Sequence, residues 1–366
     1  MAVYLGMFLY VFIVGYAGKN INKNSKKDYT SGVSVFVAIL TLAIPVILIG
    51  FRTQFGDTYA YINSFNDLEP GFENLSKVFE NEKGPLWIMY EWIIKTFITK
   101  DAYCFLFITV VIQGAAVLQF FYRNSVDYVY SIVLFFLSMT FTYMMNGMRQ
   151  FLAVCLLLFF SKWIFEKKYL RFIIIAIIAF YIHNSAFIWI LALLVIYGKP
   201  WNKKMLLFSL LIILSVIFVD TFTSLLEEGL SDTAYSGYTA QFKKDDGQSI
   251  FNTLISAVPV GIAFWKRKDI EVLNDDKLNI LINVSIFSFM LNVLATFTSG
   301  ILIGRLPKYF VLFTFILYPS LFEKVFSEYD RMIIKPLCIV GYLLYALYYV
   351  TSQGLGYGSS VLNIYV

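Results

Sequence analysis

Apolar runs long enough to cross a membrane recur along the chain and are separated by short polar segments. A bilayer core of about 30 Å requires roughly 20 apolar residues per helix, and somewhat shorter runs are tolerated. The pattern therefore predicts an all-α polytopic membrane protein with about twelve transmembrane helices. The predicted spans are 3–18, 31–50, 103–121, 128–145, 149–165, 170–183, 184–198, 205–219, 250–265, 278–298, 305–322 and 332–350. The segments between them are too short for a separate water-soluble core, which indicates one membrane domain over residues 1–366.

The runs 170–183 and 184–198 are short, and together they would make one long helix. Basic clusters flank the pair on both sides: Lys167, Lys168 and Arg171 before it, and Lys199, Lys203 and Lys204 after it. If both clusters face the cytoplasm, the chain must cross the membrane and return within this stretch. The sequence therefore predicts a broken or re-entrant helix that turns near His183 and Asn184, where its backbone meets protein or water.

The distribution of basic residues predicts the orientation of the helices. With the N-terminus outside, nineteen of the 29 Lys and Arg residues fall in the predicted inner loops. This excess is what the positive-inside rule requires, and with an even number of spans both termini face outward.

Two predicted outer segments are longer than turns, at about 51–102 and 220–249. The first contains PLWIMYEWIIKTF at 85–97, where Glu91 and Lys95 interrupt an apolar stretch one helical turn apart. This pattern is typical of an amphipathic helix lying at the outer membrane interface. The second is rich in Gly, Ser and Asp, which favours a loop able to cover a site.

Composition supports the membrane class and excludes several functions. Hydrophobic residues make up 59% of the chain and charged residues 14%, with a mean hydropathy of +0.71, whereas ordinary soluble domains carry about 25% charge. The net charge of +5 comes from Lys and Arg residues in the short loops between predicted spans. This placement is typical of membrane topology and does not indicate nucleic-acid binding. One histidine, and three cysteines inside apolar runs without ligand spacing, predict no metal site and no cofactor.

Polar and ionisable residues from four segments map to the predicted outer side. They are Arg52 and Asp57 in GFRTQFGDTYAY, Asn146, Arg149 and Gln150 in MNGMRQ, His183 and Asn184 in YIHNSAF, and Arg305 in GILIGR. Taken singly, each has an ordinary explanation, such as an arginine that snorkels to lipid phosphate or an aspartate that caps a helix. Their convergence on one side matches the expectation that ionisable residues at membrane depth mark a functional site.

The residue types indicate the ligand that such a site would bind. A guanidinium grips phosphate oxygens with two parallel hydrogen bonds, so Arg52, Arg149 and Arg305 together suggest a phosphate or diphosphate. Aromatic residues such as Tyr61 can stack on sugar rings, although anchoring at the membrane interface is their commoner role. Asn146, Gln150 and Asn184 are candidates for polar contacts to the same sugar.

Four motifs carry a resemblance to a known family. They are FRTQFGDTYAYI at 51–62, KGPLWIMYEWIIKTF at 83–97, NGMRQFLA at 146–153 and HNSAFIWI at 183–190. At these motifs the chain resembles the EpsG family of bacterial exopolysaccharide proteins, part of the wider Wzy group of polysaccharide and O-antigen polymerases. The second half of the chain is similar only in its hydrophobic spans and in SGILIGRLPKYF at 299–310.

The resemblance implies a polymerase that acts on oligosaccharide repeat units linked to undecaprenyl diphosphate, at the outer face of the bacterial cytoplasmic membrane. The enzyme would transfer the growing glycan to a sugar hydroxyl of the next unit, with membrane lipid and a chain-length regulator protein as further candidate partners. Arg52, Arg149 and Arg305 are candidates to stabilise the departing diphosphate. His183 and Asp57 are candidates for the base, and His183 is preferred because histidine titrates nearer neutral pH.

Two other functions remain open at this point. An O-antigen-type ligase would use the same donor and a similar arginine clamp, and would differ only in its acceptor. A lipid-linked oligosaccharide flippase or another transporter is expected to carry polar residues at mid-membrane depth, whereas this sequence concentrates them on one side.

Overall fold

The computed structural model describes residues 2–24, 32–74, 84–230 and 247–365, and these residues are almost wholly helical. The helices up to the break at His183 are α1 (Ala2–Asn24), α2 (Val35–Gly50), α3 (Thr58–Asp67), α4 (Pro85–Phe97), α5 (Ala102–Asn124), α6 (Tyr128–Leu137), α7 (Met148–Phe159), α8 (Lys162–Phe165) and α9 (Tyr169–Ile182). Those that follow are α10 (Ile188–Val195), α11 (Lys203–Ile217), α12 (Val219–Leu230), α13 (Ile250–Trp265), α14 (Arg267–Leu273), α15 (Asp276–Phe297), α16 (Val311–Val325) and α17 (Glu328–Ser352). Short 3₁₀ turns occupy Phe72–Asn74, Thr140–Met144, Asn184–Phe187 and Ile303–Tyr309.

Several helices are long and apolar enough to cross a membrane. They are Ala2–Ile21 within α1, together with α5, α15 and α17, and the pair α11 and α12, bent by 100°, makes a fifth candidate. Shorter apolar helices of 10–17 residues cover other predicted spans. The chain therefore has the character of a multi-pass membrane protein, while twelve spans and their orientation stay predictions.

The predicted span 128–145 shows why apolar length alone overestimates helix length. Helix α6 ends at Leu137, Met139 adopts a left-handed φ of 58°, and a 3₁₀ turn follows. Gly147, with a φ of 85°, then separates this turn from α7. The run contains no charge and only four serine or threonine residues, Ser131, Ser138, Thr140 and Thr142. Its mean hydropathy therefore did not mark the break. The break matters because it places Met145 and Asn146 in a loop.

The contacts within the chain divide it into two compact units. The first unit comprises Met1–Ala186 with Met332–Val366, and the second comprises Phe187–Arg331. In the first unit, α2 packs on α5 and α1, and α7 packs on α5 and α9. In the second, α15 packs against α13, α16 and α11. The prediction of a single domain over the whole chain stays a prediction.

The predicted amphipathic helix is confirmed as a helix with the predicted bounds, 85–97. Gly84 occupies its N-cap and Pro85 its first turn, where the missing amide hydrogen of proline costs nothing. One face of the helix is buried against α3 and α5, around Phe65 and Phe105, whose rings stack 4.5 Å apart. The position of this helix at a membrane surface stays a prediction.

The two ionisable residues of α4 bond to α3. Glu91 Oε2 accepts a hydrogen bond from Ser64 Oγ at 3.2 Å. Lys95 Nζ donates to the carbonyl oxygens of Phe65 and Asn66, at 2.6 and 2.8 Å. A cation at these last carbonyls of α3 is favourable, because the C-terminal end of a helix carries partial negative charge.

The second predicted outer loop, 220–249, is partly wrong. Its first part forms α12, which continues to Leu230. The sequence TFTSLLEEGL contains leucines and glutamates that favour helix, and this signal was outweighed by the Gly, Ser and Asp residues that follow. Residues 231–246 lie outside the described part of the chain.

The C-terminal tail folds back onto the end of α2. Strand β1 (Gly358–Ser359) pairs with β2 (Ile364–Tyr365), and the Gly358 carbonyl accepts hydrogen bonds from Thr53 N at 2.7 Å and Gln54 N at 3.0 Å. The Tyr357 hydroxyl donates to the Leu48 carbonyl at 2.6 Å. This small two-stranded element is a departure from the predicted all-α fold.

Candidate functional site

Arg52 lies directly after α2 and is completely buried. Its Nε donates to Thr58 Oγ1 at 2.9 Å, and its Nη1 donates to the carbonyl oxygen of Ile49 at 2.9 Å. Its Nη2 donates to the carbonyl oxygen of Met145 at 3.1 Å. Burial lowers the pKa of Arg52 to about 10, which still leaves the guanidinium charged at neutral pH.

These contacts give Arg52 a clear structural role. One guanidinium joins the end of α2, the start of α3 and the loop that precedes α7. Each of its three nitrogens donates to the protein, so a bidentate grip on a ligand would require Arg52 to leave these partners. The arrangement favours Arg52 as the residue that holds the surrounding loops together.

Asp57 and Asn146 meet at the surface of the same region. The backbone amide of Asp57 donates to Asn146 Oδ1 at 3.2 Å, and both side chains are exposed. Gly56 makes this approach possible, because its φ is 44° and a β-carbon there would lie 2.7 Å from the Asn146 side chain. Two of the sequence motifs are thus in direct contact.

Arg149 lies in the first turn of α7, beside Tyr61. Its backbone amide donates to the Tyr61 hydroxyl at 3.4 Å, and the Tyr61 ring packs edge-on against Trp87 at 5.8 Å between centroids. Burial raises the pKa of Tyr61, and the positive charges of Arg149 and Arg52 act in the opposite direction. Tyr61, Arg52 and Arg149 therefore share one environment.

Gly84 brings Arg149 close to the end of α9. A β-carbon on Gly84 would lie 2.6 Å from the Ile182 carbonyl oxygen and 3.5 Å from Arg149 Nη1. With a φ of 82° as well, the position admits only glycine without strain. The start of α4, the Arg149 guanidinium and the turn at Ile182 therefore converge.

His183 ends α9, as predicted for a helix break at this residue. It is buried, and its Nδ1 shares a hydrogen bond with Ser185 Oγ at 2.7 Å, while Asn184 begins a 3₁₀ turn. This contact fixes the ring orientation, and its direction decides which ring nitrogen carries the proton. The out-and-return path of the chain stays a prediction.

Glu91 is a candidate site residue that sequence reasoning missed. Its side chain is completely buried, and Oε1 has no hydrogen-bond partner among the described residues. Burial raises the pKa of Glu91 to about 8, opposed by the Ser64 hydroxyl, the Arg149 charge and the Trp87 indole. The only sequence signal was a carboxylate within an otherwise aromatic helix, which also suits a residue exposed to solvent.

A groove of about 700 Å³ lies among α4, α5, α7 and α9. Its walls are almost wholly apolar, with Leu86, Leu152 and Ile182 among the lining residues. The Tyr90 and Thr109 hydroxyls form a hydrogen bond, which places α4 near Ile112 at one end of the groove. From Ile112 to Arg123 the groove runs along about 16 Å of α5.

One end of this groove lies next to Arg149. Leu152 is one turn after Arg149 on α7, and Ile182 contacts Gly84, which itself approaches the Arg149 guanidinium. The side chains of Ile112, Phe159 and Ile178 are exposed, so the groove opens to the surface of the protein. The Arg149 guanidinium therefore lies near the Ile182 end of an open apolar groove.

The remaining predicted residues are distributed as follows. Gln150 is buried on α7, and Asn184 is half-buried. Arg305 lies half-buried in the 3₁₀ turn Ile303–Tyr309 of the second unit, so the three-arginine clamp stays a prediction. Within the ranges that the structure describes, no group of three His, Cys, Asp or Glu residues could hold a metal ion.

The fold and this region define a helical, multi-pass membrane protein with a polar cluster beside an apolar groove. The sequence model of the EpsG family matches residues 34–362, and the chain belongs to the EpsG family. This family is associated with exopolysaccharide biosynthesis. The match includes the second half of the chain, where the motifs were weak. Comparisons with curated proteins and with solved structures gave no match.

Proposed function

We propose that this protein polymerises oligosaccharide repeat units carried on undecaprenyl diphosphate, at the outer face of the bacterial cytoplasmic membrane. The donor would be a growing glycan on its lipid carrier, and the acceptor would be a sugar hydroxyl of the next unit. The proposal extends the family's association with exopolysaccharide biosynthesis to a specific reaction, a glycosyl transfer between two lipid-linked substrates.

The observation that carries the proposal is the position of Arg149 near the Ile182 end of the apolar groove. A lipid-linked diphosphate has an apolar chain joined to an anionic head, and binding it requires an apolar channel with a cation at one end. The groove can hold the apolar lipid chain, and the Arg149 guanidinium can bind the phosphate oxygens with two parallel hydrogen bonds.

In the proposed reaction, the acceptor hydroxyl oxygen forms a new bond to the anomeric carbon of the donor sugar. The bond between that carbon and the diphosphate oxygen breaks, and undecaprenyl diphosphate leaves with the bonding electrons. The hydroxyl proton passes to a base on the protein. Arg149 stabilises the negative charge that develops on the leaving diphosphate.

His183 remains our preferred base, with Asp57 as the alternative. His183 is held by Ser185 at the end of α9, directly after the Ile182 carbonyl that approaches Gly84. Asp57 is exposed, and its backbone is bound to Asn146. An imidazole held near the arginine can accept a proton at neutral pH, whereas aspartate is a weaker base.

Purified protein in proteoliposomes, supplied with purified lipid-linked repeat units, provides the test. A polymerase should convert single units into a ladder of longer glycans, seen by gel electrophoresis. A flippase would move the units across the membrane without lengthening them, and a ligase would transfer them only to a different acceptor. Transport without elongation would overturn the proposal.

A further inference from the structure

A second cavity, of about 310 Å³, lies within the second unit and differs sharply from the groove. It is formed by the segment after α10, by α14 and by the first turn of α15. Its polar lining includes Lys199, Arg267, Lys268, Glu271 and Asn279, with Trp201 beside them. This cavity plays no part in the proposed reaction.

The charge of this pocket favours an anion. Its lining holds three basic side chains and one carboxylate, and Glu271 is already paired with Lys199 at 3.2 Å. Arg267 stacks over the Phe264 ring at 4.5 Å and donates one hydrogen bond to the Phe264 carbonyl, which leaves further N–H donors. Arg267 and Lys268 therefore give the pocket an excess of positive charge.

Asn279 adds a neutral polar side chain to the lining. It lies at the wall of the cavity and is only 5% exposed. Its carboxamide nitrogen carries two N–H donors, which suit an oxygen of a bound ligand. The Asn279 amide thus adds a donor beside the two cations.

The surroundings of the pocket indicate a lipid as the source of the anion. Trp265 is 67% exposed and Val272 is 85% exposed, so apolar side chains face outward on either side of the basic residues. The pocket also lies where α13 ends and α15, a candidate membrane span, begins. Aromatic and basic residues at helix ends are typical of the membrane interface, where phospholipid head groups lie.

We infer that this pocket binds the phosphate of an anionic phospholipid. Asn279, Arg267 and Lys268 contact the phosphate oxygens, and Trp201 and the neighbouring apolar side chains lie against the glycerol and the upper acyl chains. The basic residues fall in predicted inner loops, which places the lipid in the inner leaflet. The site is independent of the glycosyl transfer proposed above.

Native mass spectrometry of the purified full-length protein, titrated with phosphatidylglycerol or phosphatidylcholine, tests the inference. Wild-type protein should retain phosphatidylglycerol over phosphatidylcholine. The double variant Arg267→Gln/Lys268→Gln should lose about tenfold or more in phosphatidylglycerol affinity. The control Lys203→Gln/Lys204→Gln removes two exposed charges from outside the pocket and should stay within about twofold of wild type.

Asn279→Asp is the sharper variant, because it keeps the side-chain shape and replaces the donor with a negative charge. It should lose phosphatidylglycerol as fully as the variant Arg267→Gln/Lys268→Gln. If Asn279→Asp fails to fold, that double variant, which changes two exposed residues, provides the test. Equal losses of phosphatidylglycerol affinity in both double variants would show that binding depends only on overall surface charge, and would overturn the inference. Equal retention of both lipids, or inorganic phosphate binding as tightly as phosphatidylglycerol, would also overturn it.

Discussion

Arg52 and Arg149 lie in the same unit and carried the same predicted role, but their surroundings are different. Arg52 is completely buried, and its guanidinium bonds to the ends of three segments. Arg149 is half-buried, lies in the first turn of a helix and approaches the end of an apolar groove. The difference shows that an arginine's surroundings depend on the tertiary fold, which its sequence context does not reveal.

The largest expected effect is on catalysis, from Arg149→Lys. A lysine keeps the charge but loses the two-pronged grip, so the rate of polymerisation should fall by about a hundredfold. Ladder formation from lipid-linked units measures the rate, and membrane accumulation shows that the variant folds. Arg305→Lys, measured alongside, tests the remaining predicted clamp residue. If Arg149→Lys polymerises at the wild-type rate, Arg149 does not bind the diphosphate in the proposed way.

The next effect is expected at His183, beside the Arg149 region. If His183 is the base, His183→Ala should cut turnover by at least tens-fold while donor binding persists. His183→Gln preserves hydrogen bonding to Ser185 but cannot accept the proton at neutral pH, so it should be similarly slow. Normal turnover in the glutamine variant would make His183 structural. Asp57→Asn would then test the alternative base in the same assay.

Arg52→Lys should mainly affect stability. An ammonium group cannot reach all three acceptors, and buried carbonyls would lose their donors, at a cost of about 2 kcal/mol or more. The melting midpoint in detergent should therefore fall, whereas Arg171→Lys, a change at an exposed arginine, should leave it unchanged. If Arg52→Lys has normal stability but no longer polymerises, Arg52 binds the ligand, as predicted from the sequence.

Glu91 offers the most specific effect, because it appears only as a change of stability with pH. Its pKa is raised by burial from the usual 4.5 to about 8, so between these values the folded protein holds a proton that the unfolded chain has released. This contribution to stability is complete below pH 4.5 and is lost as pH rises through about 8. Glu91→Gln cannot titrate, so its melting midpoint should decline less than that of wild type between about pH 5 and about pH 9.

Parallel declines in the two proteins would contradict a buried, neutral Glu91. The same variant also sharpens the comparison of the two arginines, because the Arg149 charge acts on the Glu91 carboxyl and lowers its pKa. If Glu91 helps to position that guanidinium, polymerisation by Glu91→Gln should shift its pH profile. A lower rate with an unchanged profile would indicate that Glu91 supports packing alone.

The sequence by itself determined the membrane class, the family motifs, the helix at 85–97 and the break at His183. These features depend on local composition, periodicity and capping, which neighbouring residues in the chain settle among themselves. Glu91 shows the limit of such reasoning, because a carboxylate on an amphipathic helix is normally assigned to its exposed face. Its burial depends on α3 and α5, which cover that face.

Only the tertiary structure decided how the candidate site is assembled. Arg52 bonds to Met145, 93 positions away, and Tyr357 bonds to Leu48, 309 positions away. The groove beside Arg149 requires four helices to pack with a gap between them, and the pairing of Gly84 with Ile182 sets its end. Such distant partners are selected by packing and by the need to satisfy buried polar groups, so no local pattern in the sequence encodes them.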